Sequence, residues 1–421
     1  MNPGAATSDA IVIGSGAAGL STALQLAWRG LRVRVLERCG LISGATSRAA
    51  GLLGQMRGNV EATRLQMESL ALLLEIEDRA GVSLFRRSGS LRIAQTPARA
   101  AELRHHVAIA RAAGLEVRDC SAQDAAAMLP FMAVDDIVDA AFCPGDGHLE
   151  PPALARLYLD LARDAGVACH AECPVTALRT AAGRVTGVEA GGAVYHAPVV
   201  VNAGGPWCAL VAGLAAQPLP SAAIGHYHLT TVADPAAPVP DSAPTLRDRE
   251  RRIYARPKDG GWRVGIYEAE PERFDMAALP ASFTMADLPA ARAHPSIATL
   301  LAQTAARFPG ITADTPMRLA GGIMAFTPDG DPLIGEIPGL EGFHHCAGFC
   351  GHGIMQSAAM GRVMAEWILD RTCRYDRAAL AADRFHDWEG LGDATAVADR
   401  CLAVYRGYYG RVDLPNPETG S

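Results

Sequence analysis

Residues 9–37, DAIVIGSGAAGLSTALQLAWRGLRVRVLE, constrain the chain more than any other stretch. Ile11, Val12 and Ile13 make a short apolar run of the kind buried on both faces of a parallel sheet. The run enters Gly14-Ser15-Gly16-Ala17-Ala18-Gly19, a G-x-G-x-x-G turn. In such a turn the first glycine permits a tight bend, the second admits a pyrophosphate to the backbone, and the third lets the next helix pack close to the strand. Leu20, Leu24 and Ala27 recur at helical spacing, Gly30 stops the helix, and Val33, Val35 and Leu36 form a second strand that ends in Glu37. That carboxylate falls about twenty residues past the glycines, where it can accept the ribose hydroxyls of an adenosine. With a helix N-terminus facing the phosphates, the stretch reads as a dinucleotide-binding βαβ unit. A membrane-spanning reading of the uncharged segment from Ala10 to Trp28 fails on its clustered glycines and on the short apolar reach after them.

A chain of 421 residues is long enough for two intertwined domains with a large core. Its net charge of −7, with no basic run, argues against nucleic acid as a partner. No basic-then-apolar leader precedes the first strand, so the expected location is the cytoplasm, with the ten cysteines as reduced thiols and no transmembrane segment. The pairs Cys169/Cys173 and Cys346/Cys350 lack the spacing of common zinc or redox motifs. His344, His345 and His352 crowd the second pair, but strand alternation and a cofactor site account for them, and no metal is expected.

Further along, Ser43 to Gly54 is dominated by small residues, as where backbone passes close to a ligand. Asn59 to Ala80 reads as a long helix, Gly89 to Ala94 as a strand and Ala98 to Ala113 as a helix, before the character changes over Leu115 to Ala141. Pro151 and Pro152 start another helix, Gly166 ends it, and Pro198 to Trp207 is a buried strand closing in small residues. From Pro218 to Pro309 the pattern turns antiparallel, with strands over His226–Thr231, Arg252–Arg256 and Trp262–Tyr267. Strands carrying His226 and Tyr254 suit a sheet that roofs a pocket. Gly342 to Cys346 is a strand again, and Gly348 to Met355 opens a helix whose N-terminus is a second electropositive end.

GATSRAAGL, PGDGHLEP, VNAGGPW, GHYHLTT, APTLRD followed by IYAR, and GIYE together resemble the D-amino-acid-oxidase superfamily of FAD-dependent amine oxidoreductases. More narrowly, the chain is similar to the flavin half of dimethylglycine and sarcosine dehydrogenases, over nearly its whole length to about residue 390. The resemblance implies an α/β fold, α+β overall. A Rossmann-like FAD-binding domain (1–85, 144–217 and 315–390) would be interleaved with an antiparallel-sheet substrate domain (86–143 and 218–314), leaving 391–421 as a C-terminal tail. FAD contacts are expected at Gly14, Gly16, Ala18, Gly19, Glu37 and Arg38, at Thr46, Ser47, Arg48, Gly51 and Leu52, and at Val175, Ala203, Gly204 and Trp207. Gly351, His352, Gly353 and Ile354 complete the expected set.

By the same resemblance His226 and Tyr254 face the substrate, with Tyr267 a weaker candidate. Arg48 stands where the dehydrogenases have a histidine bonded to FAD, and the linking cysteine of monomeric sarcosine oxidases is missing around Met324 and Ala325, so non-covalent FAD is expected. The carboxylate-binding arginine that many of these oxidases place before Thr-Pro-Asp is also missing, leaving Arg252, Arg256 or Arg318 as candidates. The implied reaction oxidises the C–N bond of a secondary or tertiary amine, an N-methyl or cyclic amino acid, by hydride transfer to flavin N5 and hydrolysis of the imine. An imidazole, which titrates near pH 6.5 when unperturbed, suits the acceptor of the amine proton. Sarcosine oxidases that reduce oxygen quickly carry a lysine on the hairpin that here reads Trp262–Tyr267, whereas Lys258 falls at its turn. Electrons are therefore expected to pass to an acceptor protein or partner subunit. The alternatives are a 2-hydroxy-acid dehydrogenase and a flavoprotein subunit or assembly factor with little activity of its own.

Overall fold

The computed structural model describes residues 7–312 and 314–410; residues 1–6 of the first expected segment and 411–421 of the expected tail lie outside the described residues. Ala10–Ile13 pairs in parallel with Val33–Leu36 on one side and Val199–Asn202 on the other, and all four of its residues are buried. A strand so enclosed has two apolar faces. Ala10 and Val12 join the core under the helices, while Ile11 and Ile13 join a second cluster with Val185, Val188 and Phe343. The full sheet has six strands in the order Leu333–Glu336, Phe343–Ala347, Val199–Asn202, Ala10–Ile13, Val33–Leu36 and Ala168–His170, the first of them antiparallel.

Helices Ala17–Trp28, Val60–Ala80, Pro151–Asp164 and Gly353–Asp370 cover one face of this sheet. Ala17–Trp28 and Gly353–Asp370 cross closely because Gly361 has no side chain: a Cβ there would lie 2.3 Å from Ser21 Oγ. The opposite face is covered by a three-stranded meander, Val175–Ala181, Arg184–Ala190 and Ala193–His196.

The second sheet has nine strands and is mainly antiparallel. At its centre Ala222–Thr231 pairs with Gly261–Ile266, which pairs with Ile253–Lys258. Met317–Phe326, expected with the nucleotide domain, pairs instead along its whole length with Ala222–Thr231, from Ala222 opposite Phe326 to Thr231 opposite Met317. Its glycines explain how it can lie against both halves. A Cβ at Gly322 would sit 3.0 Å from the Cβ of Arg48, and one at Gly321 would sit 2.7 Å from Leu288.

The expected C-terminal tail is also corrected in its described part. Ala394–Gly410 is a helix lying on the strands Ala222–Thr231 and Met317–Phe326. Val397, Cys401 and Tyr405, spaced four apart, form its buried stripe. Among the described residues no helix is long and apolar enough to cross a membrane.

Candidate active site

The G-x-G-x-x-G turn is built as its spacing requires. Gly14 has φ of 106° and a Cβ there would lie 2.4 Å from the Ala203 carbonyl oxygen, so a side chain is excluded both by conformation and by space. A Cβ at Gly19 would meet the Gly14 oxygen at 2.1 Å, which fixes how closely the helix approaches the strand. Gly16 caps that helix without a side-chain hydrogen bond, and Ala17 N donates to Thr46 Oγ1 at 3.0 Å. Glu37, 9% exposed, directly follows the strand Val33–Leu36 and accepts from Ser15 N and Ser15 Oγ, both at 2.9 Å. Ser15 therefore ties the acidic residue to the glycine turn, a link the spacing alone does not reveal.

A cavity of about 420 Å³ runs from this turn to the roof of the second sheet. Its walls include every expected cofactor residue except Gly19, which packs helix on strand, and Ser47, whose Oγ donates to the Gly44 carbonyl at 2.8 Å. At the Glu37 end, the Arg38 guanidinium stacks 4.4 Å over the Trp207 ring and reaches the carbonyls of Pro280 and Ala281. A second uncapped helix N-terminus, that of Gly353–Asp370, opens onto the cavity through Gly351 to Met355. Two helix ends, a side-chain-free turn and a buried carboxylate at a fixed separation fit a dinucleotide whose pyrophosphate is anionic and whose ribose offers hydroxyls.

The cysteine and histidine cluster of the last strand is dispersed by alternation. His344 approaches Glu336 at 3.4 Å, His345 sits between Asn202 and Gln217, and Cys346 receives a hydrogen bond from Thr22. Burial holds His345 at a pKa of about 3 and His344 at about 4. Cys350 lines the cavity, but its sulfur contacts Thr327 and the Gly348 carbonyl, and burial pushes its pKa up to about 12, so it is a thiol rather than a thiolate.

His226, Tyr254 and Tyr267 all reach the cavity from three adjacent strands or their ends. His226 Nε2 lies 2.7 Å from Tyr254 Oη, and the Tyr267 ring is 5.0 Å from the imidazole. Tyr254 reaches His226 by lying across Gly265, its cross-strand neighbour. A Cβ at 265 would be 2.1 Å from the Tyr254 oxygen.

The carboxylate candidates are corrected, since none of the three lines this cavity. Arg256 is 1% exposed and spent on Glu150 Oε1 at 2.6 Å and on the carbonyls of Ala50 and Pro257. Arg252 occupies a turn with φ of 58°, and Arg318 is exposed on the outer part of its strand. Arg57 and Arg247 line the cavity instead, beside Tyr267, His352 and Tyr408. Burial, together with the neighbouring Arg247 charge, lowers the Arg57 pKa, and Arg57 Nε has no hydrogen-bond partner among the described residues. The same two guanidiniums, after burial itself, keep His352 neutral, and its Nε2 contacts the Tyr408 hydroxyl. Arg247 was within reach of sequence reasoning, lying in the APTLRD segment; Arg57 follows the small-residue stretch with nothing to mark it.

Residues 9–367 match the model of the FAD dependent oxidoreductase family, and the chain belongs to that family. It is accordingly an FAD-dependent oxidoreductase, with the mixed α/β architecture of the family's solved structures. The mitochondrial sarcosine dehydrogenase of Homo sapiens is 30% identical over 389 residues, which are 90% of this chain and 42% of that protein. The chain thus spans less than half the length of that relative. Among solved structures, L-proline dehydrogenase from P. horikoshii superposes with a TM-score of 0.81 at 21% identity, covering 90% of this chain and 98% of that one. Glycine oxidase from Geobacillus kaustophilus gives 0.78 at 25% identity, covering 90% and 99%.

Proposed function

We propose that the chain oxidises the C–N bond of a small secondary or tertiary amine bearing a carboxylate, an N-methyl or cyclic amino acid. The observation that carries this reading is that His226, Tyr254 and Tyr267 roof the same cavity that begins at the glycine turn. FAD, when bound there, supplies the acceptor for the two electrons and the hydrogen that leave the carbon. An ammonium has no lone pair to support that loss, so the protein must first take a proton. Tyr254 is the group that meets the amine, and His226 Nε2, 2.7 Å behind it, receives the proton Tyr254 gives up. Arg57 and Arg247 then hold the carboxylate, the chemistry for which paired guanidiniums are suited. The walls around them are largely apolar and keep competing water from the amine. Water is needed afterwards, to hydrolyse the released imine.

The test is anaerobic mixing of the FAD-bound protein with sarcosine, dimethylglycine, L-proline and lactate, following flavin absorbance. Bleaching by one of the amino acids, with release of formaldehyde or a cyclic imine, is expected. Bleaching by lactate alone would replace the reading with hydroxy-acid oxidation. Arg57→Ala should raise the apparent Kd of the reducing amino acid by about 10-fold or more, the loss of a charged hydrogen bond, with a smaller effect on the limiting rate.

A further inference from the structure

We propose that the helix Ala394–Gly410 is part of the catalytic apparatus: its Tyr405 links the buried carboxylate of Glu268 to His226 and so determines which ring nitrogen of His226 carries the proton. The proposal rests on the reading that Tyr254 and His226 take the substrate's proton. Glu268 follows Tyr267, is 3% exposed, and is held by Tyr227 N, which donates to its Oε1 at 3.0 Å. Its Oε2 accepts from the hydroxyl of Tyr405, which is fully buried. Burial, and then the Glu268 charge, push the Tyr405 pKa well above the usual phenol range, so Tyr405 stays protonated and is the donor in that contact.

The direction of one hydrogen bond then fixes the rest. With its proton turned to Glu268, the Tyr405 oxygen can only accept from His226 Nδ1, 2.8 Å away. A proton on Nδ1 leaves Nε2 with its lone pair, and Nε2 accepts from Tyr254 Oη at 2.7 Å. All three bonds point away from the cavity, from Tyr254 to His226 to Tyr405 to Glu268. Tyr254 therefore presents its oxygen lone pairs to an incoming N–H. When the amine N–H bond breaks toward that oxygen, the Tyr254 O–H proton moves to Nε2, one proton arriving and one leaving. The imidazolium that results has Glu268 Oε2 3.4 Å from its Nδ1. In the opposite tautomer, Nε2–H would donate to Tyr254, and the vacant nitrogen, Nδ1, would face Tyr405 instead of Tyr254.

The groups facing His226 are Tyr254, Tyr267, Tyr405, Glu268 and, two residues along its own strand, His228. His228 is kept neutral by burial, with a pKa of about 3, so Glu268 is the carboxylate in this set. Residues 405 and 268 enter only as positioning residues, since neither lines the cavity.

The test uses full-length, FAD-bound protein labelled with 15N-histidine, so that the ring nitrogens of His226, assigned with His226→Ala, report the tautomer directly at neutral pH. The wild-type protein should show Nδ1 protonated and Nε2 bare. Glu268→Gln should invert this, because the new amide donates to Tyr405, whose hydroxyl must then turn toward Nδ1. Tyr405→Phe should lose the single tautomer. Both variants keep volume and shape; an unchanged flavin spectrum and melting temperature establish that they fold. Both should slow anaerobic flavin reduction, by whichever of sarcosine, dimethylglycine or L-proline reduces the wild type, by about 10-fold or more with little change in apparent Kd. A wild-type Nε2–H tautomer, or two folded variants with the wild-type tautomer and rate, would overturn the proposal. Normal reduction in His226→Ala would instead remove the reading of the site on which the relay depends.

Discussion

Gly265→Ala tests the roof of the site without touching any group that does chemistry. The backbone at 265 lies outside the left-handed region, so alanine is conformationally acceptable there. The added Cβ would nevertheless stand 2.1 Å from Tyr254 Oη, 2.2 Å from its Cζ and 2.7 Å from Cε2. Carbon does not approach these atoms within about 3 Å, so the phenol must retreat by about 1 Å. A retreat of that size stretches the 2.7 Å contact with His226 past hydrogen-bond range, about 3.5 Å. Overpacking of this kind costs about 1–3 kcal/mol of stability. A misplacement of about 1 Å in a proton-transfer pair costs about 10²-fold in rate. Stopped-flow measurement of anaerobic flavin bleaching should therefore show Gly265→Ala and Tyr254→Phe to be similarly slow. The double variant should be little slower than either, because both remove one interaction. A wild-type rate in Gly265→Ala, or penalties that multiply in the double variant, would refute the reasoning.

Acid precipitation should leave yellow FAD in the supernatant, because Arg48, Met324 and Ala325 offer no linking thiol or imidazole and burial holds the Cys350 sulfur as a protonated thiol; a yellow pellet would contradict this. Gly14→Ala should give colourless protein, since its Cβ collides with Ala203 and its φ is 106°; retention of stoichiometric flavin would show the turn to be more forgiving than its geometry implies. Reduced enzyme should react faster with an artificial acceptor dye than with oxygen. Lys258 is paired with Glu150 at 3.2 Å and Asp259 at 3.1 Å and does not line the cavity, nor does Arg263, whose Nε bonds Thr230. The cations that do line it, Arg38, Arg48, Arg57 and Arg247, are guanidiniums rather than the ammonium that stabilises superoxide as a point charge; reoxidation by air as fast as substrate reduction would overturn this. Stability should fall on acidification below pH 6.5, the usual imidazole value. His228 and His345 at about 3 and His344 at about 4 stay neutral in the fold but charge in the unfolded chain, each costing about 1.4 kcal/mol per pH unit through that window. Urea midpoints that hold constant from pH 7.5 to pH 5 would argue against it.

What could be read from the sequence was what depends on local pattern. The glycine turn, Glu37 and the two-faced strand Ala10–Ile13 obey short-range rules, and Asn59, read as the first residue of the long helix, is the cap of Val60–Ala80, its Oδ1 accepting from Ala62 N at 2.7 Å. His226 and Tyr254 were singled out by motif, but the bond between them depends on Gly265, a residue that reads as an unremarkable strand glycine. Arg256 misled because a charged residue in a pocket-forming strand looks available, whereas its partner Glu150 lies 106 positions away. Tyr405 was missed because the resemblance stopped near residue 390, although Val397, Cys401 and Tyr405 already stood at helical spacing. Partners joined by long-range packing leave no periodic trace, and the carboxylate, the relay and the arginine pair are all of that kind.

The strand order of the parallel sheet has a consequence for how the chain is made. Ala10–Ile13 is made well before one of its neighbours, Val199–Asn202, which follows nearly two hundred residues later, and the strand beyond that ends at Ala347. Between them the chain must thread the strands Ser90–Ala94 and Asp139–Cys143 into the other sheet. Until the late strands arrive, Ala10–Ile13 and Val33–Leu36 expose an apolar, unpaired edge. Such long loops must close before their contacts reward them, which slows folding and lengthens exposure to aggregation. The second sheet cannot be completed before Phe326 is made, nor the first before Ala347, so the two halves mature together rather than one after the other in sequence.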